Sequence, residues 1–440
     1  MSFEKLNDNF RSYKRLLEAD TLGCFDFFTC IVCLNSVNSS QFEQFQKARV
    51  SKDYSVLSKI TPLAVHEFTH FVDSTSTVWG MNHLRKMNDA YCSNNIKGGT
   101  EYDFYKAKSF LEHARSLRLP GYYTLIDSAK SPTRPWQYRI TMGKQFGLDG
   151  KLSENPILFS HFSNAHGGLL ARSPVSTVSI LEASAMSNEM VTRLALINDL
   201  NKDERLVENG VYQREAFNYV YDQNITEYSV CVHIVANHLN CKDLFVSFQI
   251  CSIITRLVLN FPKSLFGKVL ESTEIHKVLC IPEGHEFEHR MKSGIKSRNL
   301  GILFYLICKA LPNDTSESRE KMISGVGVAL ERIGVTLKLI GDEAGKEIEE
   351  IAGELNESKL RVIRKLSAAG ADNFFKISLT STTLNLSNLS LPSVYLGDGA
   401  EARIFNSDNN LLNGIGIEEI FDELYEGQEW VERFSEACTA

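Results

Sequence analysis

The stretch Leu63-Ala64-Val65-His66-Glu67-Phe68-Thr69-His70-Phe71-Val72 decides how this chain is read. In a helix, residues four apart share one face, so His66 and His70 can each aim an imidazole nitrogen at a single metal ion. Glu67 stands one position further round, where its carboxylate can take the proton of a water that attacks a polarised carbonyl. Phe68 and Thr69 leave the interior of the motif uncharged, and apolar residues flank it on both sides. That is the pattern of a helix running through the middle of a domain. A core helix whose two histidines bond neighbouring carbonyls shares the five-residue pattern, so context carries the argument.

The same chain supplies a control. His285-Glu286-Phe287-Glu288-His289 repeats the spacing, but Pro282 and Gly284 precede it, Glu288 places a charge inside it and Arg290 follows. These are the marks of the exposed first turn of a polar helix. The metal site is therefore assigned to the first motif.

With its uncharged flanks, the first motif resembles the active-site helix of the zincin metallopeptidases over roughly residues 60–200. The likeness is closest to the gluzincin type, in which a glutamate from a later helix is the third zinc ligand. The longer string HEFTHFVDSTSTVWG, His66 to Gly80, is also similar to a large group of bacterial HExTH proteins, in which a downstream helix bears a Glu followed by small residues. The resemblance implies Zn²⁺ as cofactor, peptide-bond hydrolysis as activity, Glu67 as general base and a protein or peptide as substrate. The competing reading is a zincin-fold sensing or binding module without turnover.

A catalytic zinc takes three protein ligands and keeps one position open. The metzincin extension requires Gly at 73 and His or Asp at 76, where this chain has Asp73 and Ser76. A glutamate nineteen residues after His70, the aminopeptidase-like spacing, is here Asp89, which is shorter. In Ile180-Leu181-Glu182-Ala183-Ser184-Ala185 a glutamate sits in an apolar helix whose small neighbours admit another helix, and it matches the gluzincin-like pattern. A capping box from Ser179 to Glu182 is the bland alternative, but Pro174 starts the helix earlier and places Glu182 inside it. Glu182 is the preferred third ligand, with Asp89, Glu189 and Asp73 as alternatives. Glu189 lies two turns after Glu182, where it can support a ligand from behind. Asp73 can orient a ligand imidazole through its second ring nitrogen. His161, His166 and Arg172 are candidates for oxyanion stabilisation.

Composition sets the frame. At 440 residues, with 43% hydrophobic and 23% charged side chains, the chain is long enough for more than one packed lobe. A net charge of −7 with dispersed basic residues argues against nucleic acid as a partner. The polar N-terminus lacks a secretory pattern, which suggests a cytoplasmic protein. Gln249, Thr255, Arg256 and Asn260 interrupt the apolar run from Leu244 to Phe261, so it reads as a core helix and not a membrane span. Cys30-Ile31-Val32-Cys33, within the apolar run Cys24 to Leu34, reads as a pair of buried strand cysteines.

The expected fold is α+β and predominantly helical. Residues 1–200 form a zincin-like core with a small sheet beside the active-site helix, residues 201–313 a helical lobe and residues 314–440 an accessory helical region. Local patterns predict a polar helix over the first twenty residues, one strand over Cys24–Leu34, the active-site helix opening at Pro62, a strand over Trp136–Phe146 with a turn at Gly147–Gly150, and a helix from Pro174.

Overall fold

The computed structural model describes residues 22–93, 101–127, 134–147, 150–405, 407 and 409–439. The helix expected over the first twenty residues lies outside them, as do residues 148–149 of the expected turn. The strands are β1 (Cys24–Asp26), β2 (Ile31–Leu34), β3 (Leu125–Ile126), β4 (Gln137–Phe146), β5 (Leu152–Ser163), β6 (Leu169–Pro174), β7 (Val394–Leu396) and β8 (Glu401–Ala402). The helices are α1 (Ser39–Ser51), α2 (Tyr54–Thr75), α3 (Val78–Tyr91), α4 (Glu101–Leu117), α5 (Thr177–Asn198), α6 (Lys202–Val220), α7 (Thr226–Leu239), α8 (Leu244–Leu259), α9 (Lys263–Ser272), α10 (Ile275–Leu279), α11 (Glu286–Lys296), α12 (Leu300–Ala310), α13 (Arg319–Arg332), α14 (Leu337–Asn356), α15 (Arg361–Lys376) and α16 (Ile417–Thr439). The architecture is α+β and mostly helical, as composition and pattern predict.

Two small sheets are set among these helices. The first has the order β1-β2-β7-β8, and its β2–β7 pair is parallel, with Val32 opposite Val394 and Leu34 opposite Leu396. A strand from near the end of the chain thus completes the sheet that lies against α2. The second has the order β3-β6-β5-β4 and is antiparallel throughout.

Local chemistry explains where the elements depart from expectation. The run Cys24–Leu34 is a hairpin and not one strand, because Asp26 builds a turn: its carboxylate accepts from Phe28 N at 2.9 Å and from Thr29 Oγ1 at 2.7 Å. The helix that carries the first motif, α2, begins at Tyr54, eight residues before Pro62. Asp53 caps it by accepting from Ser55 N at 3.0 Å, and buried Ile60 anchors the added turns. A proline inside a helix costs about 3 kcal/mol, so capping and packing outweigh that cost here. Pro174 ends β6 instead of starting a helix. The helix starts after Ser176, whose capping box pairs it with Ser179, leaving Glu182 in the helix interior. Strands β5 and β6 were not expected from the pattern.

From Ala64 to Thr75 every residue of α2 is buried. Phe68 and Phe71 are each almost fully enclosed, a burial worth about 1.5–3 kcal/mol apiece. Helix α5 packs along α2, with its buried Ser184 against Asp73 of α2. At the far end of α2, a Cβ on Gly370 of α15 would meet the Thr75 carbonyl oxygen at 2.0 Å, so only glycine fits that crossing. Helix α8, the apolar run of the sequence, is buried from Ser247 to Leu259 except at Gln249. No single helix among the described residues is long and apolar enough to cross a membrane.

Candidate metal centre

Close packing of α2 on α5 brings three ligand types to one point. His66 Nε2 and His70 Nε2 lie 3.5 and 3.4 Å from Glu182 Oε2. Ligand atoms of the three residues all fall within 4.8 Å of one another, and among the described residues no other group of three or more His, Cys, Asp or Glu gathers in this way. Glu182 Oε2 is buried and, in the metal-free structure, is left without a full hydrogen bond, so it faces the two imidazole nitrogens across a space that a metal ion or a protonated imidazole can satisfy. This buried His-His-Glu group can hold a metal ion.

The surroundings hold the ligands in place. Glu189 Oε2 sits 2.9 Å from His66 Nδ1, which fixes the ring and leaves Nε2 for the ion. Phe25 stacks over His70 with centroids 6.3 Å apart, and Phe27 meets the same ring edge-on at 5.8 Å. These aromatic rings exclude water from one side of the site. His70 Nδ1 has no hydrogen-bond partner. Asp73, expected to orient an imidazole, is buried instead between Ser184 and Arg256. Burial raises its carboxyl to about 7, although both neighbours pull it down. Asp89 is exposed on α3, in the field of Lys106 and Arg85, and takes no part in the cluster.

Electrostatics mark the site as a cation trap. Burial disfavours a proton on His66, yet Glu182, Glu189 and Glu67 together hold its pKa well above the ordinary imidazole range. Glu182 is pushed well below the usual carboxylate range, because His70 and His66 outweigh the burial that would raise it. In the metal-free chain a proton thus supplies the positive charge that an ion brings.

Glu67 is buried beside the cluster, and its carboxylate rests against the start of β1. A Cβ on Gly23 would meet Glu67 Oε1 at 2.8 Å and the Cys33 carbonyl oxygen at 3.1 Å, so a side chain there would crowd the Glu67 carboxylate. Nothing in the sequence around Gly23 signals this role.

His66 and Glu189 line a cleft of about 1490 Å³, together with Leu22 ahead of β1, Arg118 at the end of α4, Tyr122 and Phe146. Arg118 pairs with Glu227 of α7, Nη2 to Oε2 at 2.9 Å, and feels the negative charge of Glu182. Sequence reasoning missed Arg118 because no motif surrounds it. Of the oxyanion candidates, His161 bonds Thr141 Oγ1 at 2.8 Å, Arg172 donates to the Tyr123 carbonyl at 3.2 Å, and His166 is exposed in the β5–β6 turn. None of the three lines the cleft.

The second motif is built differently. His285 is the N-cap of α11, its Nδ1 accepting from Phe287 N at 3.0 Å, and both His285 and His289 are exposed. Glu288 turns inward to Lys292, to the Gly284 N–H and to His276. No family model, curated protein or solved structure matches this chain.

Proposed function

We propose that the chain is a zinc-dependent peptidase of the zincin type, in its gluzincin form. The observation that carries this reading is the convergence of His66, His70 and Glu182, of which His66 lines a large cleft, with Glu67 on the helix that carries both histidines. Two imidazoles and one carboxylate are the ligand set of a catalytic zinc with an open position. A bound zinc ion polarises a carbonyl and makes water nucleophilic at neutral pH.

The remaining work falls to side chains of this protein. Glu67 takes the proton of the attacking water and passes it to the leaving amine. Glu189 holds the His66 ring. Arg118, which lines the cleft with Arg115 and is held by Glu227, is a cation suited to the charge that develops on the carbonyl oxygen. Strand β1 is an edge of its sheet, and Leu22 just before it lines the cleft, which suits addition of an extended peptide. The small sheet against α2 and the later helix that donates Glu182 support the zincin comparison.

The test is cleavage of a complex peptide mixture by the zinc-loaded full chain, read by mass spectrometry of new termini. Wild type should generate them, and Glu67→Gln should hold zinc yet generate none. A fully zinc-loaded wild type that cleaves nothing would overturn the peptidase reading in favour of a binding module.

A further inference from the structure

We propose that Cys24 and Cys33 form a reversible disulfide, a redox modification site in the hairpin on which Glu67 rests. The CxxC spacing points to Cys30 and Cys33, but the fold pairs differently. Cys24 and Cys33 are directly opposite each other on the antiparallel strands β1 and β2. Residues so placed have Cα atoms about 4.5 or 5.5 Å apart, and both values fall inside the window of about 4.4–6.8 Å that a disulfide spans. Cys30 sits at the end of the turn with φ 56°, its side chain fully buried, and is no register partner of Cys33.

The two thiols differ in access. Cys24 is partly exposed, with Asn35 Nδ2 3.9 Å from its sulfur, so an oxidant can reach it. Cys33 is buried, and contact with Cys24 followed by burial keeps its thiol protonated well above the usual range. Hydrogen peroxide is the oxidant class that fits. Its O–O bond breaks as the Cys24 sulfur takes one oxygen, giving a sulfenic acid and water. The Cys33 sulfur then displaces that oxygen, forming the S–S bond and releasing a second water. Two thiols are oxidised and one peroxide is reduced to two waters.

The bond has a mechanical consequence, which rests on the peptidase reading. Opposite Cβ atoms in a sheet stand about 4.5–5.5 Å apart, against about 3.8 Å in a disulfide. Closing that gap draws the start of β1 toward β2 and moves Gly23, which is wedged between Glu67 Oε1 and the Cys33 carbonyl. Displacement of a catalytic group by about 1 Å can cost ~10²-fold in rate.

The experiment exposes the native, zinc-loaded full chain to hydrogen peroxide, then blocks free thiols and maps the tryptic peptide 16–47, which contains Cys24, Cys30 and Cys33. The expected result is a loss of about 2 Da, reversed by dithiothreitol, with fragment ions joining Cys24 to Cys33 and leaving Cys30 alkylated. The same bridge should form in Cys30→Ala and be absent from Cys24→Ser. The proposal is overturned by a Cys30–Cys33 bridge, by a gain of about 32 Da on Cys24 with Cys33 still alkylatable, or by three unmodified thiols. Peptide cleavage, measured on the same samples, should fall on bridging and return on reduction. Absence of cleavage in both forms would count against the peptidase reading, while the mass map still decides the disulfide.

Discussion

Residues 66–70 and 285–289 spell the same His-Glu-x-x-His pattern and end in opposite environments. The first lies past the middle of α2, in the part that is buried on all sides, where its histidines meet a glutamate from a second helix. The second straddles a helix start, and the register places His285 in the cap while Glu288 faces the protein body. A metal site therefore needs more than two histidines a turn apart. It needs desolvation that leaves a polar group unsatisfied and a third donor carried in by tertiary packing.

Several substitutions would break or sharpen that contrast. The largest effect is expected from Glu67→Gln, which should lower peptide cleavage by about 10²–10⁴-fold with zinc retained, whereas Glu286→Gln should leave cleavage unchanged in the same assay. Next is Glu189→Gln. Loss of the carboxylate behind His66 should weaken zinc binding by about 10–100-fold, read by competition with a chromogenic chelator.

Zinc binding should also weaken in acid, because the ion must displace the proton that Glu182, Glu189 and Glu67 hold on His66. Below the raised pKa of that imidazole the affinity should fall about tenfold per pH unit for each proton displaced. The sign for the stability of the metal-free fold follows from the same shifts. The raised His66 pKa stabilises the fold fully below the ordinary imidazole value, and this is lost as pH rises through the folded value. The lowered Glu182 pKa stabilises it above the ordinary carboxylate value, and this is lost as pH falls. Denaturant midpoints of chelator-treated protein, followed across pH, check both limbs. The smallest effect belongs to the second motif: His285→Ala removes a helix cap, and should cost about 1 kcal/mol of stability with no change in zinc content.

Much of this site was legible in the sequence because it depends on short-range periodicity. His66, Glu67 and His70 are set by one helix, and the small residues after Glu182 announce a close helix contact that the structure contains. The charged, helix-start surroundings of His285 were equally readable. What sequence could not supply came from partners distant along the chain. Gly23 matters only because β1 comes to rest on Glu67, and Arg118 only because the end of α4 reaches the cleft. Asp73 shares the face of His70 by spacing, yet a buried Arg256 and Ser184 claim its carboxylate. Likewise β7 lies within residues 314–440, expected to be an accessory helical region, and is a strand because β2 is there to pair with it.

The central claim is that one ion binds at the first motif through Glu182. Zinc content of the purified full chain tests it most directly, measured by elemental analysis in wild type, in Glu182→Ala and in the double variant His285→Ala/His289→Ala, with folding of each checked by circular dichroism. The account predicts about one zinc per chain in wild type and in the double variant, and a sharp loss in folded Glu182→Ala. Zinc retained by Glu182→Ala and lost from the double variant would contradict it.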